Sequence, residues 1–419
     1  MMSDRPLDAA TPLAQLWEHL TLARYAPTVI VRYVAFARLF LRYLEKRHVR
    51  LDEVEPAHVS MYLACKLRRY RQRHGRAAAS MTRWRSSHTA GIHQLLRVVR
   101  GSWPVAPAAR SPSELYFDGL LAEFAQWLHA QRGLAARSIG VMVAEARRLL
   151  SWYGGSADAF DLRAMRLADI DAYVQWRCPA LRRVSRRNVT QQLRCFLKFL
   201  HVTGRTALDL AARVISPTLY ACEAMPSLLD PEQIRAVLAS TGQDHSSKGL
   251  RDYAILVLLA TYGLRAGEIV QLRLDDVDWR GDRFVVRHTK TGLQSDLPLV
   301  PAVGDALLAY LRRGRPVTDA REIFVHTKAP YRSFSRGSSL YLLVRLRLEG
   351  AAVSPAGKCG PHTFRHARAV SLLRASATTK TIGDLLGHRS AESTRPYLKL
   401  ATDDLRDVAL EIPGQEVQA

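Results

Sequence analysis

Arg265 and Glu268 stand one helical step apart in the stretch 261–272, TYGLRAGEIVQL. The apolar run 254–260 ahead of them is long enough for a buried helix, and Gly263 supplies the backbone freedom to end it. Ile269, Val270 and Leu272 give the next helix an apolar face. An arginine held at a helix start beside a carboxylate is a pre-oriented fork for a phosphate oxygen. It can equally be a structural ion pair on a solvated face. Downstream, PHTFRH places His362 and Arg365 one turn apart on one face, behind a helix-starting proline. LLGH ends a helix at Gly387 and leaves His388 at the junction, and Tyr397 follows in STRPYL. Taken singly, His388 reads as a helix-end cap and Tyr397 as half-buried packing. His362 and His366 are four apart, but the zinc-protease pattern needs Glu directly after the first His, and Thr363 stands there. A zinc site is therefore not expected.

The elements that must position these groups follow from periodicity and caps. Asp230-Pro231-Glu232-Gln233 is a helix start: Asp as cap, Pro in the first position, Gln three residues after the cap. Helices are expected from there to about Asp276. Residues 283–287 and 296–300 read as two strands of a small antiparallel sheet, with Lys290 near the hairpin tip. After Pro301 the pattern is helical to the end, apart from connections at 336–339 and 354–360. Residues 211–225 read as the linker into this last domain.

Ahead of it the chain carries one helical plan twice. Residues 29–30, 37–43, 51–54, 59–62 and the helix through Ile92, Leu95, Leu96 and Val99 are echoed by 138–139, 146–153, 162–165, 170–173 and the helix through Leu193, Phe196, Leu197 and Leu200. A basic run lies in each copy: Lys66, Arg68, Arg69, Arg71, Arg73 and Arg76 in the first, Arg182, Arg183, Arg186 and Arg187 in the second. The reading is two tandem helical bundles, 1–104 and 113–213, each with a basic DNA-binding face, followed by a domain over 226–412.

Bulk properties agree with a nucleic-acid partner. Across 419 residues, 61 Lys plus Arg outnumber 38 Asp plus Glu, a formal net charge of +23. That excess calls for a polyanion, with DNA or RNA the default. With 48% hydrophobic and 24% charged residues, the chain is globular rather than disordered. No apolar run reaches the ~18 residues of a membrane span, and MMSDRPLDAATPLAQ lacks the layout of a secretory signal. Five cysteines without C-x-x-C spacing read as reduced thiols, so a cytoplasmic, nucleoid-associated protein is expected.

Taken together and in order, Arg265, Lys290, His362-x-x-Arg365, His388 and Tyr397 resemble the active-site set of the tyrosine recombinase (phage integrase) family. The resemblance covers 226–412; residues 114–212 are similar to the family's core-binding domain, and 13–103 to a second such module or an arm-type domain. It implies a mainly α fold with a small antiparallel β-sheet: two SAM-like N-terminal bundles and a mixed α+β catalytic domain. It also implies a site-specific recombinase that cleaves and rejoins DNA through a covalent 3′-phosphotyrosine, to integrate, excise or transpose a mobile element. Arg265 and Arg365 would neutralise the charge that grows on the phosphate oxygens. Tyr397 would be the nucleophile, since a phenolate is also a good leaving group for religation. Lys290 would protonate the departing 5′-hydroxyl, His362 assist the tyrosine proton, and His388 hydrogen-bond the phosphate. Glu268 would orient the arginines.

The resemblance implies no cofactor and no metal. Its partners would be double-stranded DNA, further protomers in a tetramer on a synaptic complex of two sites, and accessory recombinases, with no membrane. Two features depart from the family pattern: Pro396 directly precedes Tyr397, and the hairpin HTKTGLQSDLPL has few basic residues after Lys290. A type IB topoisomerase shares this chemistry, and an inactive DNA-binding descendant shares the fold. The duplicated basic modules and the segment 403–410, which in the family packs on a neighbouring protomer, favour the recombinase.

Overall fold

The computed structural model describes residues 11–75, 80–104, 112–156, 161–220, 227–288, 292–355 and 357–387. Lys290, His388, Tyr397 and the segment 403–410 lie outside the described residues. The chain divides into two compact units, one made of Met1–Val105 with Ala224–Ala419, the other of Ala106–Glu223.

The first module holds α1 (Pro12–Leu22), α2 (Pro27–Glu45), α3 (Pro56–His74) and α4 (Met81–Arg100). Three of these begin on a proline, whose missing N–H costs nothing in a first turn. Phe40, Leu44, Val54, Val59, Tyr62, Ile92 and Leu96 form one buried cluster, and Leu16, Leu20, Ile30, Val34, Ala37 and Leu95 another.

The second module repeats the order with α5 (Pro112–Arg132), α6 (Ala136–Ser156), α7 (Leu167–Arg177) and α8 (Arg183–Val202). Each module sets a short 3₁₀ turn between its second and third long helices, at Leu51–Glu53 and Leu162–Ala164. The positions that echo one another in sequence are buried in both: Val54 and Met165, Val59 and Ile170, Tyr62 and Tyr173, Leu96 and Leu197. The linker expected from residue 211 begins later than that. Leu210, Ala211 and Val214 are buried in this module's core, and Arg194 Nη2 donates to Val214 O at 2.6 Å.

The C-terminal region is built round α10 (Ser247–Tyr262), preceded by α9 (Pro231–Gly242) and followed by α11 (Ala266–Gln271). Residues 254–259 of α10 are all buried, as the apolar run requires. The sheet comprises β1 (Val277–Asp278), β2 (Arg283–His288) and β3 (Leu293–Pro298), antiparallel and in that order among the described residues. The register runs from Arg283↔Pro298 to His288↔Leu293. The second strand therefore starts at Leu293, earlier than expected, and ends before Leu299, whose side chain instead enters the core. Then come α12 (Pro301–Ala309), with a π-helical turn at Tyr310–Gly314, α13 (Ser339–Gly350), α14 (Pro361–Arg374) and α15 (Thr379–Leu385). The helix expected through 315–335 is absent. Ile323, Phe324 and Val325 are buried in non-helical backbone, with bridges Arg273↔Glu322 and Val325↔Ser333, and Pro316 and Pro330 cannot sit inside a helix. Helices α9, α12, α13 and α14 all pack on α10 or its neighbours, which brings α14 alongside the α10–α11 junction.

Among the described residues no helix is long and apolar enough to cross a membrane. Cys65, Cys178, Cys195 and Cys359 are free thiols.

Candidate functional site

Gly263 closes α10 with φ +66°, a backbone state that L side chains rarely adopt. The chain can then turn at once into α11, whose N-cap is Arg265. Glu268, three residues on, reaches back: its Oε2 accepts from Arg265 N at 2.7 Å and its Oε1 from Arg265 Nη1 at 2.7 Å. The carboxylate is 1% exposed and the guanidinium 20%, so the arginine is anchored on its buried side and open on the other. Its other terminal nitrogen, Nη2, donates to Gly387 O at 3.0 Å.

Arg365 comes from the first turn of α14 and is 3% exposed. Nη1 donates to Gly263 O at 2.9 Å, and Nη2 donates to Leu386 O. The two arginines thus hold consecutive carbonyls, those of Leu386 and Gly387, in the turn that leads directly into His388. Gly387 has φ +60°, and a Cβ there would come within 2.6 Å of the His288 ring. Glu268 orients Arg265, and the backbone carbonyls of Gly263 and Leu386 orient Arg365.

His288, the last residue of β2, was not singled out by sequence reasoning. Its Nδ1 lies 2.8 Å from Glu268 Oε1 and its Nε2 2.9 Å from Ser295 Oγ on β3. The strand alternates so that Phe284, Val286 and His288 face inward, and a histidine on the buried side of a strand was the available signal. Burial pushes the Glu268 carboxyl up. Hydrogen bonds from His288 and from the backbone and side chain of Arg265 outweigh it, so the group stays below the ordinary glutamate value.

His362 opens α14 one turn before Arg365. The residue reaches the surface, yet its surroundings disfavour charge: desolvation first, then Arg365, Arg265 and Lys358, hold its pKa below the ordinary value. A neutral imidazole can accept a proton. His366 lies on the same face, its ring 6.1 Å from that of His362, and the same kinds of effect take it down to about 4.

The structure therefore brings together Arg265, Glu268, His362 and Arg365. Lys290 lies two residues beyond His288, and His388 directly after Gly387, both outside the described residues. Of the basic runs, Arg68, Arg69, Arg71 and Arg73 are exposed on α3 and Lys66 is half-buried. In the second module the run falls instead at the start of α8. There Arg182 and Arg183 are exposed, Arg187 is half-buried, and Arg186 is tied back to the carbonyls of Leu181 and Pro179.

Residues 227–403 match the phage integrase family. Protein y4rA of Sinorhizobium fredii, named as an integrase/recombinase, is 31% identical over 91% of this chain and 89% of its own. The tyrosine recombinase XerD of Mycobacterium tuberculosis is 33% identical over 59% of this chain and 78% of its own. In fold, the chain is similar to the XerH site-specific recombinase, with TM-score 0.55 and 13% identity over 72% of this chain and 97% of that one. It is also similar to lambda integrase (75-356), with TM-score 0.52 and 14% identity over 72% and 99%. The relatives' extent, together with a site of two anchored arginines beside a histidine, leads to one conclusion: the chain belongs to the phage integrase family and is a tyrosine recombinase, an enzyme of site-specific DNA recombination.

Proposed function

We propose that this recombinase cuts and rejoins DNA through a 3′-phosphotyrosine on Tyr397, in the movement of a mobile element. The observation that carries the reading is the seating of Arg265 and Arg365 on the consecutive carbonyls of Gly387 and Leu386. Two guanidinium groups fixed in advance can stabilise charge on the non-bridging phosphate oxygens with little reorganisation. The phenolic oxygen of Tyr397 attacks phosphorus as the bond to the 5′-oxygen breaks, and the departing oxygen takes a proton from Lys290. His362, held neutral, receives the tyrosine proton, while His388 hydrogen-bonds the phosphate. The phosphotyrosine keeps the ester's bond energy, so a 5′-hydroxyl can reverse the step.

Lambda integrase, of the same fold at TM-score 0.51 and 15% identity, has been solved as a tetramer bound to a Holliday junction, which supports a tetramer on two sites here. The basic faces of the two N-terminal modules, 1–104 and 113–213, would both touch backbone phosphates of the duplex that the catalytic domain, 226–412, cuts.

A DNA site nicked near the cleavage point traps the adduct, and sequencing the trapped DNA identifies the element. The wild-type chain should form a protein–DNA adduct at a 3′ phosphate, and Tyr397→Phe should bind the same duplex and form none. Full cleavage by Tyr397→Phe would overturn the reading.

A further inference from the structure

In the second module, the buried side chain of Tyr173 has a complete set of partners. Its hydroxyl donates to Glu145 Oε1 at 2.8 Å, and Arg177, one turn further along α7, approaches the same carboxylate at 3.2 Å. In the first module the echoing residues are Tyr62 and, again one turn on, Lys66. The position that echoes Glu145 is Phe36, so the carboxylate is missing while the phenol and the cation remain.

The consequence is visible around Tyr62. A cleft of about 510 Å³ runs between α2 and α3. Arg42, Lys46 and Arg47 line it from the α2 side, Lys66 and Arg69 from α3. None of these five cations forms an ion pair with a carboxylate among the described residues. Tyr43 and Tyr62 both line the cleft, and their hydroxyls are buried with no hydrogen-bond partner; Tyr62 is only 2% exposed. Arg47 stands over the Tyr43 ring at 4.9 Å and Lys66 over the Tyr62 ring at 5.7 Å. Unpartnered buried donors cost free energy, and like charges gathered without a counter-charge repel. An anion with several acceptor oxygens resolves both.

We propose that the α2–α3 cleft is a phosphate seat, in which Tyr43, Tyr62 and the flanking cations take one backbone phosphate diester of duplex DNA. The identity of the polyanion rests on the recombinase reading; the demand for an anion does not. Desolvation first, then Arg69, lowers the Lys66 pKa, a penalty that a bound phosphate removes. The seat also revises which side chains of the basic run matter. Lys66 and Arg69 face it and are joined by residues of α2, whereas Arg68, Arg71 and Arg73 do not line it.

The test uses the full-length chain and one duplex across a range of salt concentrations. Arg42→Gln with Lys66→Gln should lower the slope of log K against log salt by about 0.9, the release from one lost phosphate contact. Arg32→Gln with Arg85→Gln removes the same charge from exposed positions of the module that do not line the cleft, and should leave the slope unchanged. Tyr43→Phe with Tyr62→Phe should weaken duplex binding roughly threefold to tenfold without changing the slope. It should leave the free chain as stable as before or more so, because it removes unpartnered hydroxyls. Equal slopes in the cleft and control variants would overturn the seat, as would a Phe variant that binds like wild type. If inorganic phosphate raises the melting temperature of wild type but not of the cleft variant while the duplex slopes coincide, the cleft holds free phosphate and the DNA assignment falls. Adduct formation on a nicked site reports separately on Tyr397: a slope change without any adduct supports the seat and sinks the phosphotyrosine reading, and the reverse pattern does the opposite.

Discussion

His288 Nδ1 lies 2.8 Å from Glu268 Oε1, the same oxygen that accepts from Arg265 Nη1 at 2.7 Å. One buried carboxylate oxygen therefore joins the end of β2 to the start of α11. The other ring nitrogen of His288, a residue two positions before Lys290 in sequence, meets Ser295 on β3. Arg265 and the end of β2 thus share one buried anchor, so a change at His288 is felt at Arg265.

Replacing His288 by Ala should therefore impair chemistry through Arg265. Misplacement of a positioning group by about 1 Å costs on the order of 10²-fold, so a 10- to 100-fold fall in single-turnover adduct formation is expected. Duplex affinity should change little, and His288→Gln, which can still donate to Glu268, should recover part of the rate. A wild-type rate in the alanine variant would show that His288 only fills space.

In the proposed mechanism Arg365 serves chemistry as well as structure. Arg365→Ala leaves the carbonyls of Gly263 and Leu386 without their donor, at about 1–3 kcal/mol for each buried group left unsatisfied. It should also lose about 10²–10³ in cleavage rate. Arg365→Lys keeps the charge but not the two-pronged geometry, so it should recover stability in thermal melting more than rate.

Gly387 is a position where a methyl group has no place. Its φ of +60° disfavours any L side chain, and the new Cβ would sit 2.6 Å from both Cε1 and Nδ1 of His288. Gly387→Ala should lower the melting temperature, by a free energy on the order of 1–3 kcal/mol, and reduce adduct formation. Gly350→Ala, at a glycine with open space around it, should change neither. Equal behaviour of the two variants would contradict the packing described.

His366 sets a limb of the pH–stability profile. Burial, then His362, Arg365 and Lys358, bring its pKa to about 4 from the ordinary 6.5. The unfolded chain thus takes up this proton at higher pH than the folded chain does. The contribution is full above about 6.5 and is lost as the pH falls from there through about 4. Denaturant titrations across that window should show falling stability in wild type and a flatter limb in His366→Gln.

Much of this was legible in the linear chain because it depends on neighbours in sequence. Asp230, Pro231 and Gln233 form the capping box that their spacing predicts, with Asp230 N donating to Gln233 Oε1 at 3.1 Å. The buried run of α10, the stop at Gly263 and the alternation of β2 follow the same local logic. The stretch 315–335 departs from the helix that its pattern predicts. Its apolar residues are buried in non-helical backbone, with one bridge back to Arg273 and one inside the stretch, and no local period announces that.

The residue types at the site, with their order and spacing, were fixed by the sequence alone: Arg265 beside Glu268, and His362 one turn from Arg365. Which atom each would hold was decided only by tertiary structure. Arg265 reaches Gly387 across 122 positions, Arg365 reaches Gly263 across 102, and His288 meets Glu268 across 20. Such contacts arise because α10 buries its whole apolar run and draws α14 and the Leu386–Gly387 turn against its C-terminal end. Helical and strand periodicities specify which face a residue occupies within its own element. The partner it meets there depends on how separate elements pack, and that is set by the shape and volume of the shared core.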